Sequence, residues 1–133
     1  MREWLHRRDG SSLTADCSDQ IFVVHHGAGA TGKGTHYRVL KHVLGDYVVK
    51  APRSVFEAQR QRHHPADLMT LAGRRLAYGS EISPYLNVDQ LKELTGEEDF
   101  QARGMGENFS EQRGNCKLEV RMNRAPRHPR GPG

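Results

Sequence analysis

Apolar residues fall in short, separated segments, and their spacing alternates between two periods. Ile21-Phe22-Val23-Val24 is a continuous run rich in β-branched residues, the pattern of a strand buried on both faces in a parallel sheet. Glycines follow at once. From Lys33 the apolar positions Tyr37, Leu40, Val43 and Leu44 recur at three- and four-residue intervals, predicting a helix that Gly45 closes as a C-cap. Tyr47-Val48-Val49 reads as a short extended piece, and Ser54 with Glu57 has the spacing of a capping box for a small helix. His64-Pro65-Ala66-Asp67 opens a further helix through Leu68, Met69 and Leu71, closed by Gly73. Arg75 to Ser80 reads as a strand ending in Glu81. Asn87 caps a helix carrying Val88, Leu91 and Leu94, which Gly96 ends. Cys116, Leu118, Val120 and Met122 alternate with Lys117, Glu119 and Arg121, the period of two expected of a half-buried strand.

Strands and helices in this alternation predict an α/β fold, a three-layer domain with a mainly parallel sheet. Three regions are expected: a polar lead-in over residues 1–20, with a short helix or turn around Trp4 and Leu5; a core over 21–123; and a tail over 124–133. Three prolines and two glycines keep that tail from continuing a regular element.

The chain has 133 residues, 35% of them apolar, and a mean hydropathy of −0.78. That suffices for one modest core, and no apolar run approaches the roughly 20 residues of a membrane span. The charged start Met1-Arg2-Glu3-Trp4-Leu5-His6-Arg7-Arg8 lacks the pattern of a secretory signal, so a cytoplasmic location is expected, with Cys17 and Cys116 as free thiols. The net charge is +4. From Glu111 onward six Lys/Arg stand against two acids, so the whole excess lies at the end of the chain. A basic end suits nucleic acid phosphates, or is merely a solvated surface. The histidine pairs His25-His26 and His63-His64 have no metal-ligand frame around them, and adjacent strand positions face opposite ways.

The sharpest chemical signal is Gly27-Ala28-Gly29-Ala30-Thr31-Gly32-Lys33, a G-x-x-x-x-G-K frame with a strand before it and a helix after it. In such a frame glycines let successive backbone N–H groups turn toward one anion, the helix N-terminus adds positive potential, and the lysine reaches the β and γ phosphates. The usual magnesium-binding Ser or Thr is replaced by Gly34, with Thr35 one place on. Glu81, at a strand end about fifty residues downstream, stands where a P-loop enzyme keeps a carboxylate for magnesium or the attacking water.

The stretch from Leu13 to Thr35 resembles the entry to the motor of phage and plasmid primase-helicases, superfamily 3 helicases of the AAA+ class. The resemblance continues through His64-Pro65-Ala66-Asp67-Leu68, Gly73 to Glu81, Leu91 to Gly96, Ala102-Arg103, and Lys117 to Asn123 and Pro126. It implies a P-loop NTPase fold that is incomplete at its C-terminus, because the family runs on to an arginine finger and a further core strand. It implies ATP and Mg2+ as cofactors, with Lys33, Glu81 and Asn123 as catalytic residues, Asn123 sensing the γ-phosphate. The cradle is Gly27, Ala28, Gly29, Ala30, Thr31, Gly32, Lys33, Gly34 and Thr35, with Thr35 and Glu81 managing the metal. Lys92 and Arg103 are implied to face DNA in a homo-oligomeric ring. The chain departs from the family at Thr31, Gly34 and Gly96-Glu97-Glu98. Two other readings stay open: a small nucleotide or metabolite kinase, which the Gly32-Lys33-Gly34-Thr35 variant fits, and an inactive remnant that only binds nucleotide or DNA.

Overall fold

A computed structural model describes residues 1–14, 16–29, 31–58, 66–96, 99–102, 110–113 and 116–127. Four parallel strands form the sheet: β1 (Phe22–His26), β2 (Val48–Lys50), β3 (Leu76–Ser80) and β6 (Lys117–Met122), in the spatial order β1-β6-β3-β2. The last strand in sequence is inserted between β1 and β3, with Phe22 opposite Leu118 and Ala77 opposite Leu118 on its other side. Helices α1 (Arg2–Ser11), α2 (Lys33–Leu44), α3 (Ala66–Met69) and α4 (Val88–Thr95) complete the main body. Strands β4 (Asp99–Ala102) and β5 (Ser110–Arg113) form a separate antiparallel pair. No described helix is long and apolar enough to cross a membrane.

The alternation of strand side chains divides the core into two. On one face Ala77, Leu118, Val120 and Met122 pack with Val55, Phe56 and the α4 residues Leu91 and Leu94. On the other, Val48 and Leu76 pack with Leu40 of α2, with Tyr37 and Leu44 beside them. Val43, expected on the buried stripe of α2, is 70% exposed, because the two short strands beneath the helix need only a narrow apolar stripe. The remainder of this second face is polar. Glu119 is 1% exposed and Lys117 3%, so β6 is buried on both sides and not half-buried as its alternation predicts. Its polar positions face protein, not water. Lys117 Nζ donates to the carbonyls of Ser11, Thr14 and Asp16 at 2.9, 3.3 and 2.6 Å. Glu119 accepts from Arg8 Nε at 3.1 Å and lies 2.9 Å from His25 Nε2.

The N-terminal helix therefore contributes to the interior: Arg8 is 4% exposed and ties α1 to the middle of the sheet. The capping box expected at Ser54 does not form. Residues Arg53–Val55 make one 3-10 turn, the Ser54 hydroxyl donates to Asp67 at 2.5 Å, and Glu57 accepts from the Ser83 amide at 2.8 Å. The cap at Asn87 does form, accepting from the Gln90 amide at 3.1 Å. His64 and Pro65, expected to open α3, lie outside the described residues, as do His63 and positions 128–133 of the tail. Both cysteines are free thiols.

Candidate phosphate cleft

The carboxyl ends of β1, β6 and β3 open on one side of the sheet, where parallel α/β folds place their ligands. Beyond β1 the chain passes through Gly27, Ala28 and Gly29, turns at Gly32 with φ of 88°, a left-handed backbone that favours glycine, and enters α2 at Lys33. Tyr78 on β3 stacks on Tyr37 of α2 with ring centroids 4.5 Å apart, and its hydroxyl lies 3.4 Å from the Lys33 carbonyl. Burial pushes the Tyr78 phenol up to about 12, so it remains a neutral donor that pins the first turn of α2 to the sheet.

Lys33 does not extend into solvent. Its ammonium donates to the carbonyls of Gly27 at 2.9 Å and Ala28 at 2.5 Å, and to the Thr31 hydroxyl at 2.9 Å. The cation thus holds the glycine segment in a loop. Thr31 closes the loop by donating to the Ala28 carbonyl at 3.0 Å.

A cleft of about 310 Å³ lies beside this loop. Gly29, Thr31, Gly32, Lys33, Gly34 and Thr35 line it from the loop side, and Glu81 and Asn123 from the ends of β3 and β6. Eight of the residues expected at a nucleotide site therefore come together, although Glu81 and Asn123 are remote in sequence from the loop. Gly27 and Ala28 join through Lys33, while Ala30 lies outside the described residues. Lys92 is exposed on α4 and does not line the cleft. Arg103, in the segment between β4 and β5, lies outside the described residues, as do Glu97 and Glu98.

Glu81 has φ of 55°, a left-handed conformation that costs a side-chain-bearing residue roughly 1–2 kcal/mol. Strain of this kind collects at functional positions. It follows from the geometry at the strand end: Ile82 returns into the core at 5% exposure while Glu81 projects outward.

The same cleft is lined by Arg38, Arg121 and Met122. Neither arginine stands out in a motif. The signal available for Arg121 was the period of two, which puts it on the same face of β6 as Asn123, one step earlier. Three cations, Lys33, Arg38 and Arg121, share the cleft with one carboxylate, so its lining is net positive and suits an anionic ligand. Among the described residues no cluster of His, Cys, Asp and Glu has the makings of a metal site.

No protein family and no curated protein matches the chain by sequence. Solved structures of the NrS-1 C-terminal region share its fold. The A form apo structure aligns with a TM-score of 0.61 at 17% identity, over 78% of this chain and 24% of that one. The apo structure of residues 305–718 of that protein gives 0.58 at 14% identity, over 78% and 25%. The present chain spans about a quarter of those structures, and at such identity the likeness is one of fold.

Proposed function

We propose that this chain is the ATP-binding core of a replicative DNA helicase motor of the primase-helicase type, in which hydrolysis drives unwinding by the full protein. The observation that carries the reading is the meeting of Lys33, Glu81 and Asn123 in one cleft at three strand ends, with β6 inserted between the loop strand and the carboxylate strand. The loop amides and Lys33 take the phosphates, Lys33 exchanging its loop carbonyls for phosphate oxygens. Glu81 orients the attacking water, and Asn123 contacts the terminal phosphate. Stabilising charge on the transferring group is most of the catalysis at such sites, and the net positive lining supplies it. A metal fits these residues less well than phosphate does. Thr35 and Glu81 supply oxygens for magnesium, but the position after Lys33 supplies none, and a guanidinium lies against it.

Lys92 and Arg103 are the proposed DNA contacts, and neighbouring subunits of a ring complete the site. The test is ATP binding and hydrolysis by the purified chain, with and without single-stranded DNA, beside Lys33→Ala. Binding lost in the variant supports the reading, and DNA-stimulated turnover extends it to the motor. If the wild-type chain binds no nucleotide, the proposal fails. Phosphate transfer to a small acceptor in place of water redirects it to a kinase.

A further inference from the structure

Arg121 lies on the same face of β6 as Lys117 and Glu119, and differs from both in how its charge is met among the described residues. Lys117 on that face is satisfied by three backbone carbonyls, and Glu119 by Arg8 and His25. Arg121 instead donates through Nη2 to the Ser80 hydroxyl, and among the described residues no carboxylate lies within ion-pair distance of it. Its other guanidinium nitrogen, Nη1, reaches over Gly34: a Cβ added to Gly34 would clash with it and lie 3.6 Å from Arg121 Cζ. The guanidinium also walls two neighbouring cavities, the cleft beside Lys33 and a second of about 290 Å³ lined by Lys50 and Ser80.

These facts are linked. Residue 34 is where a P-loop ordinarily carries its magnesium-binding hydroxyl. Here there is no side chain, and a fixed positive charge takes the vacated space. Resting on the reading of the cleft as a phosphate site, we infer that Arg121 is a phosphate-binding residue that replaces part of the charge magnesium supplies elsewhere, so that this chain binds nucleoside triphosphate without requiring a divalent cation. A guanidinium presents two parallel N–H donors to phosphate oxygens and stays charged at any working pH. A divalent cation at the same place would meet like charge at close range, whereas a triphosphate would not.

Calorimetric titration of ATP into the whole chain, once in MgCl2 and once in EDTA, tests this with wild type, Arg121→Gln and Gly34→Ser. The wild type is expected to bind with affinities within about 3-fold in the two buffers, and Arg121→Gln to lose about 10-fold or more in EDTA, the scale of one charge-assisted phosphate contact. Gly34→Ser expels the guanidinium and restores a hydroxyl, so its binding becomes magnesium-dependent by about 10-fold. Because this variant keeps Arg121 in the chain and a loop of ordinary composition, it tests the inference even if Arg121→Gln does not fold. Wild-type binding that requires magnesium overturns the inference and leaves the nucleotide reading standing. So does binding by Arg121→Gln in EDTA at wild-type affinity. Wild type that binds ATP in neither buffer overturns both.

Discussion

At the scale of single residues, Glu81 and Cys116 lend themselves to direct measurement. Glu81 carries a left-handed backbone that asparagine tolerates far better than glutamate. Glu81→Asn is expected to gain about 0.5–1 kcal/mol in urea unfolding, part of that penalty, and, on the proposed ATPase reading, to abolish turnover. Glu81→Gln should lose turnover with no such gain, so comparing the two separates strain from chemistry. Burial pushes the Cys116 thiol up to about 12, leaving almost no thiolate at pH 8. A thiol reagent should label Cys116 slowly in the native chain and rapidly in urea; equal rates would show that the base of β6 opens freely.

At the scale of elements, packing on the two sheet faces sets different tolerances. On the apolar face Gly79 of β3 lies directly under Phe56: a Cβ there would come within 2.7 Å of the ring and 2.9 Å of Ile82. Both neighbours are core side chains, so Gly79→Ala is expected to cost about 1–3 kcal/mol of overpacking, read from the denaturant midpoint. Helix α4 depends on its cap, and Asn87→Ala should cost about 1 kcal/mol. That helix was legible in advance because cap, apolar spacing and terminal glycine are local features. So were β1, α2 and the loop between them. The burial of β6 was not legible, since alternation fixes which residues share a face and is silent on what covers that face. Here α1 covers it with Arg8. The Ser54 cap failed because the Glu57 amide it would accept from donates to the Arg53 carbonyl at 2.9 Å, and the Glu57 carboxylate is taken by the Ser83 amide, a partner near in space and not in sequence. The β4–β5 pair was missed as well, its segments lacking the β-branched run or paired turn residues that announce a hairpin. Of the site, the loop, Glu81 and Asn123 were legible; Arg121 was not, as a basic residue in a strand means little until its neighbours are known.

Across the whole molecule, the buried carboxylate of Glu119 is expected to contribute to the response to acid. Burial on its own raises its pKa, but His25 and Arg8 overcome this and hold the group below its usual 4.5. Its folded value is therefore depressed, so its contribution to stability is present above the unfolded carboxylate value and is lost as pH falls through the folded one. Melting temperature should accordingly drop below about pH 4. In Glu119→Gln this portion of the acid sensitivity should disappear, at a cost near neutral pH of up to about 3 kcal/mol, because buried Arg8 loses one of its two carboxylate partners and keeps Asp19 at 3.3 Å. A variant as acid-sensitive as wild type would place the controlling group elsewhere.

The insertion of β6 beside β1 also fixes the order of events in time. Phe22 pairs with Leu118, 96 positions later in the chain, so the loop strand gains its neighbour only after nearly all of the intervening chain is in place. Loop closure over such a span is slow and is not rewarded until it is complete. A chain still emerging from the ribosome thus holds the whole glycine loop with no sheet to anchor it. The cleft is thus completed late and abruptly, with the arrival of the same strand that brings Arg121 and Asn123.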